Sequence, residues 1–274
     1  MRLLFVIAVD RLRVMMATPR SARLLLNKVP EVTIYFWVIK VLATTVGETA
    51  ADFLDTSLSL GLTVTSCIMS AGLIVALAWQ FRSSRYLAPA YWVSVVMISI
   101  VGTLITDNLS DNYHVPLELT TAVFSVALAV TFAAWYAAER TLSIHTIVTP
   151  RREVFYWLAI LFTFALGTAA GDLVAEKLNV GYWAALFGFA AAIAAVCAAR
   201  FGFKLNSVAC FWLAYILTRP LGASFGDLLS QPLDDGGLGF GTTATSFAFL
   251  AAILALVTYL SVTKADVSPE AEAT

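Results

Sequence analysis

Eight stretches of about 18 to 24 residues, each with no charge or at most two, dominate this chain. They run approximately from Val32 to Ala51, Leu58 to Phe81, Leu87 to Thr106, Leu119 to Ala138, Val154 to Gly171, Val180 to Ala199, Leu205 to Gly226 and Gly239 to Val262. At about 1.5 Å of rise per helical residue, each is long enough to cross a hydrocarbon core of about 30 Å. A β-barrel needs short segments of alternating polarity, which these are not. With 60% hydrophobic and 13% charged residues and a mean hydropathy of +0.84, the chain is far from the averages of soluble proteins. The expected fold is an all-α integral membrane protein with eight transmembrane helices.

Charge placement orients those spans. Of the 17 Lys and Arg residues, fourteen lie in the amino-terminal segment, in loops after even-numbered spans or in the tail: Arg2, Arg11, Arg13, Arg20, Arg23, Lys28, Arg82, Arg85, Arg140, Arg151, Arg152, Arg200, Lys204 and Lys264. The loops after odd spans hold Asp55, Asp111, Glu176, Asp234 and Asp235, with Lys177 their only basic residue. By the positive-inside rule both termini are cytoplasmic and the acidic loops face outward. Residues 1–29 read as a basic interfacial helix or arm, with a cleaved signal peptide as the other reading, and residues 263–274 as a disordered acidic tail. A net charge of −1 without a basic block argues against nucleic-acid binding. Cys67, Cys197 and Cys210 have no framework or metal-ligand spacing and read as packing residues. His114 and His145 read as solvated loop residues. No phosphate-binding loop, dinucleotide fingerprint, nucleophile elbow or zinc-protease motif is present, so neither an enzyme nor a cofactor is expected.

One pattern recurs four times: an aromatic residue, Trp, nine residues, Gly, four residues, Asp. It appears as Phe36, Trp37, Gly47 and Asp52; as Tyr91, Trp92, Gly102 and Asp107; as Tyr156, Trp157, Gly167 and Asp172; and as Phe211, Trp212, Gly222 and Asp227. The Trp residues are 55, 65 and 55 apart, consistent with two rounds of duplication. Nine residues after each Asp stands Gly61, Pro116, Gly181 or Gly236, where the return helix is expected to begin. Each unit then reads as a helical hairpin of two spans, with repeats at about 30–82, 86–140, 150–200 and 205–262 inside a membrane domain of residues 30–262. An even number of crossings per unit makes the repeats parallel, unlike inverted-repeat transporters. Trp and Asp, fifteen residues apart, lie about 60° apart in azimuth and about 22 Å apart along the axis.

With these residues in place, the chain resembles a family of bacterial membrane proteins built of four tandem repeats of unknown function, each with two membrane spans and a characteristic Trp. The resemblance covers about Val29 to Val262, and the stretch KVPEVTIYFWVIKVLATTVGETAADFL is similar to that family's first repeat. It implies a multi-span protein of the bacterial inner membrane and supplies no activity.

Trp37, Trp92, Trp157 and Trp212 read as an aromatic belt at the inner interface, or as a gate or packing key at a central axis. Gly47, Gly102, Gly167 and Gly222 read as close-contact points between helices, or as hinges. Asp52, Asp107, Asp172 and Asp227 either solvate helix ends or converge as a ring that concentrates cations. A carboxylate near a helix C-terminus opposes the macrodipole, so helix stability does not explain four of them.

Four residues below each Asp lies Glu48, Thr103, Thr168 or Ala223, and four below that Thr44, Ser99, Phe164 or Arg219. Lys40 extends this stripe in the first repeat, and Pro220 follows Arg219 in the last. Charges within spans are costly and face a bundle interior or a wet cavity. Lys40, Glu48 and Arg219 are therefore the leading functional candidates, and Glu48 and Arg219 are expected to pair across the first and last repeats, within about 6 Å. The leading function is transport or export of a small solute through the motif helices. Oxygen ligands without thiolate or imidazole suit hard cations such as Mn²⁺, Mg²⁺ or Ca²⁺, or protons; an unpaired Arg219 would instead suit an anion. The alternatives are a cation channel and a non-transporting scaffold, sensor or subunit. The partners implied are the lipid bilayer and a small solute or ion, and the oligomeric state is left open.

Overall fold

The computed structural model describes residues 27–57 and 60–267, and every regular element among them is helical. The expected amino-terminal arm up to residue 26 and the tail from residue 268 lie outside the described residues. Eight long helices follow: α1 (Ile34–Asp52), α2 (Leu62–Arg82), α3 (Ala88–Asp107), α4 (Leu117–Glu139), α5 (Pro150–Asp172), α6 (Tyr182–Gly202), α7 (Ser207–Ser230) and α8 (Thr242–Thr263). Seven of them are long and apolar enough to cross a membrane. The remaining one is α1, whose apolar run is broken by Lys40 and Glu48.

Local signals set the helix starts. Thr33 caps α1 by accepting from Phe36 N at 3.4 Å, Thr149 caps α5 by accepting from Arg152 N at 3.4 Å, and Asn206 caps α7 through Val208 N at 2.9 Å. Each side-chain oxygen satisfies a donor that the first turn leaves open. α2 and α6 start after Gly61 and Gly181, whose φ of 76° and 80° suit glycine alone. The last return helix departs from the expected register: it starts after Gly241, not Gly236. Gly236 instead ends a 3₁₀ turn over Leu233–Asp235, and the loop folds back on α7 through Leu238 N to Leu228 O and Phe240 N to Leu229 O.

The helices form two concentric layers. α1, α3, α5 and α7 make a closed inner ring in that order, each packed on the next and α7 on α1. The hairpin expectation needs correction here. α2 packs on α3, α4 on α5, α6 on α7 and α8 back on α1, whereas α1 and α2, α3 and α4, or α5 and α6 hardly touch. Each return helix thus covers the next repeat, and the eighth closes the circle on the first. In lipid the hydrophobic effect does not hold helices together, so contacts come from close packing and a few polar bonds. Thr106 donates to Ala165 O at 3.0 Å between α3 and α5, and Ser246 to Thr49 at 2.8 Å between α8 and α1. The outer helices expose Ile68, Val75, Val126, Phe187 and Leu254, the surface a bilayer solvates. Cys67 and Cys197 lie on that exposed face and only Cys210 is buried, so two of the three do not pack as expected.

Candidate functional site

The motif residues stack in layers along the ring axis. At one end Asp52, Asp107, Asp172 and Asp227 come together in one cavity of about 330 Å³, with Glu48 at its floor and Asp55, Ser110, Asp111 and Gln231 around it. That all four Asp share one mouth makes α1, α3, α5 and α7 parallel. After Asp52, Asp107 and Asp172 the chain widens into a single π turn, over Phe53–Ser57, Asn108–Asn112 and Leu173–Lys177. Single π turns inside helices accompany functional sites.

One layer deeper stands the Arg219 guanidinium. Its Nη2 donates to Glu48 Oε2 at 3.0 Å, to Thr168 Oγ1 at 2.7 Å and to Thr103 Oγ1, and its Nη1 donates to Thr44 O at 3.0 Å. Arg219 therefore touches all three other repeats from the fourth. Arg219 is fully buried and Glu48 is 6% exposed. The residue starts one level below Glu48, as its spacing requires, but its side chain reaches up about one turn to bring both charges to a common height. Three ligand-type oxygens, one each from Glu48, Asp172 and Asp227, lie within 4.8 Å of one another beside it. Charge pairing of Arg219 removes the condition on which an anionic solute rested.

The motif glycines lie beside this layer and mark how the ring closes. A Cβ placed on Gly47 would sit 1.8 Å from Ser99 Oγ, on Gly102 2.8 Å from Phe164 Cβ, on Gly167 2.3 Å from Arg219 Cγ, and on Gly222 2.0 Å from Thr44 Oγ1. The residue three before the glycine in each repeat presses on the glycine of the preceding repeat, all the way around. Close backbone approach is thus the role of these glycines. Thr44, Ser99, Thr103, Thr168 and Phe164, the remaining members of the stripe, are all fully buried.

Further along the axis the cavity gives way to packed side chains. Lys40 is fully buried with its Nζ 4.2 Å from the Tyr215 ring centre and 4.4 Å from that of Phe164, and no described residue accepts a hydrogen bond from it. Next come the hydroxyls of Tyr91 and Tyr156, 2.6 Å apart. The motif Trp residues close this end in a cyclic order: Trp92 against Phe36 at 5.7 Å, Trp157 against Tyr91 at 5.6 Å, Trp212 against Tyr156 at 6.2 Å and Trp37 against Phe211 at 5.8 Å. The belt reading fails for three of the four, since Trp92, Trp157 and Trp212 are buried and only Trp37 is half-exposed. Ring-to-ring packing favours this arrangement because each indole meets the aromatic residue of the preceding repeat.

A second charged cluster, which sequence reasoning missed, lies at this end. Lys28 Nζ donates to Glu153 Oε2 at 2.7 Å and to Phe81 O at 3.0 Å, and Gln80 donates to Glu153 Oε1 at 3.3 Å. Glu153 is 1% exposed. It stands between Arg152 and Val154 at a basic helix start, where a carboxylate reads as a solvated dipole partner, and nothing in the spacing pairs it with Lys28. Residues 27–31 cross the same end, bonding Ile147 O, Asp266 O and Tyr86 N through the main chain. Tyr86 also donates to the Asp266 carboxylate. Burial raises the Asp266 carboxyl above its usual range. Burial and the adjacent Asp266 charge hold the Tyr86 phenol well above 10, so it stays a donor.

A family model described as a Repeat of Unknown Function (DUF347) matches four segments of the chain, residues 35–86, 90–141, 155–205 and 210–266. No curated protein and no solved structure matches it.

Proposed function

The chain belongs to this repeat family, whose description assigns no activity, and from the axial geometry we propose that it is a multi-span transporter of a small hard cation. All eight helices cross the membrane, α1 being screened from lipid by α3, α7 and α8. The acidic mouth faces outward and the basic end, with both termini, faces the cytoplasm of a bacterial inner membrane, following the Lys and Arg asymmetry. No catalysis, nucleic acid or organic cofactor enters this reading.

The observation that carries the proposal is Arg219 bound to Glu48 at the floor of the acidic cavity, with hydroxyls of the other repeats around it. Charges in a span are retained where they line a path or a site. The cavity walls hold Asp52, Asp55, Asp107, Asp111, Asp172 and Asp227, with Arg219 already paired to Glu48 at the floor, a field that concentrates cations. Oxygen donors at this spacing suit Mn²⁺, Ca²⁺ or Mg²⁺. The opposite half is closed by Lys40, Tyr215 and the aromatic ring. A path open at one end and shut at the other is an end state of alternating access and argues against a continuously open channel.

The test is flux into liposomes containing the purified full chain, with Mn²⁺ and Ca²⁺ as probes, for the parent, Glu48→Gln and Arg219→Ala. Saturable, gradient-driven uptake that falls at least tenfold in both variants supports transport. Unsaturable conductance would favour a channel. No flux of any cation, with unchanged thermal stability in their presence, would leave a scaffold or sensor as the better reading.

A further inference from the structure

Below the acidic mouth two buried cations, Arg219 and Lys40, lie near the Phe164 ring. Arg219 takes Glu48, while Lys40 is held against aromatic faces with no acceptor among the described residues. The Phe164 ring touches both, with Arg219 Cζ at 5.6 Å and Lys40 Nζ at 4.4 Å from its centre. Two aromatic faces offset only part of the cost of burying an ammonium. Among the described residues, the ionisable groups of the surrounding helices supply no carboxylate to this layer. α3 contributes Tyr91, α5 contributes Tyr156, α7 contributes Tyr215 and Arg219, and α8 places Tyr259 against Tyr35. On α1 itself the nearest acid is Glu48, two turns away and already paired.

Resting on the cation-transport reading above, we propose that Lys40 carries the proton exchanged for the transported cation. The reason is charge balance. A divalent cation entering at Glu48, Asp172 and Asp227 competes with Arg219 for Glu48. An ammonium at Lys40 would then stand beside a second cation whose partner had been taken. Cation at the floor and proton on Lys40 therefore exclude one another. On binding, an N–H bond of the ammonium breaks, its electron pair stays on Nζ and the proton leaves to water. When the aromatic end opens and the cation departs, Nζ takes a proton from water on that side. One proton moves against each cation, and no redox step is involved.

The experiment uses the full chain, with Mn²⁺ as the probe. In the parent, apparent Mn²⁺ affinity should rise about tenfold per pH unit over the range in which one proton is displaced, and an imposed Mn²⁺ gradient should drive protons across the liposome membrane. Lys40→Met and Lys40→Gln should keep Mn²⁺ binding, flatten its pH dependence and lose proton movement. Titration of the parent in two buffers of different ionisation enthalpy counts the protons released even if a variant fails to fold. Release of none, or a Lys40 variant that binds Mn²⁺ with the parent's pH dependence and proton movement, overturns the role of Lys40 while leaving cation transport standing. A parent that neither binds nor moves Mn²⁺, Ca²⁺ or Mg²⁺ overturns both.

Discussion

Replacing Gly47 by alanine strains the inner ring at its tightest contact. The added Cβ would lie 1.8 Å from Ser99 Oγ, 2.6 Å from Ser99 Cβ and 2.9 Å from its carbonyl carbon. Non-bonded carbons prefer roughly 3.5 to 4.0 Å, so rotating the Ser99 hydroxyl away is not enough. The backbones of α1 and α3 must part by about 0.5 to 1 Å even against the least severe of these contacts, and overpacking of that kind costs about 1 to 3 kcal/mol. Glu48 is the next residue, so the same displacement pulls on its 3.0 Å bond to Arg219. Gly188 supplies the control, because nothing lies within 4 Å of a Cβ there, and alanine favours a helix over glycine by about 1 kcal/mol. Thermal unfolding in detergent, followed by tryptophan fluorescence at one scan rate, should show Gly47→Ala lowered by roughly 2 to 12 °C, at about 2 to 4 °C per kcal/mol for a chain of this size. Gly188→Ala should match or exceed the parent. Adding Ser99→Gly to Gly47→Ala removes the two closest atoms and should recover most of the loss. If Gly47→Ala melts with the parent, the close approach of α1 and α3 is wrong, and with it the cyclic register of the ring.

Two further outcomes follow from the basic end. Glu153→Gln leaves the Lys28 ammonium buried without its carboxylate, and breaking such a pair costs about 3 to 5 kcal/mol; Glu153→Gln combined with Lys28→Met should recover much of it, and a single variant as stable as the parent would show the pair to be dispensable. Asp266 has a folded-state value raised by burial above 3.8, so the folded chain holds its proton more tightly than the unfolded chain. The stability it contributes is full below the unfolded value and is lost as pH rises through the folded one. Asp266→Asn keeps an acceptor for Tyr86 and removes this dependence, so the variant should gain on the parent as pH rises above the ordinary Asp value of about 4; melting curves that stay parallel as the pH is raised would contradict the assignment.

Much of the axial site is legible in the chain because α-helical spacing is local. Asp52, Glu48, Thr44 and Lys40 recur every four residues, which puts them on one face wherever the helix goes, and charges within an apolar span dictate that this face turns inward. The fixed interval from Trp to Gly to Asp likewise makes all four motif helices equivalent and parallel. Neighbour relations between helices are a different matter, since they depend on azimuths that no single helix encodes. That α2 covers α3 and not α1, that Ser99 presses on Gly47 and Thr44 on Gly222, and that three of the Trp residues turn inward to meet the preceding repeat are decided only when the ring closes. Tertiary structure also decided how far side chains reach: Arg219 climbs about one turn to meet Glu48, and Lys40, rooted on the same stripe, ends among aromatic rings with no acid beside it among the described residues. Spacing fixed which groups face the axis, and packing fixed which of them found a partner, because pairing inside a membrane is settled by a few ångströms of helix offset and side-chain length.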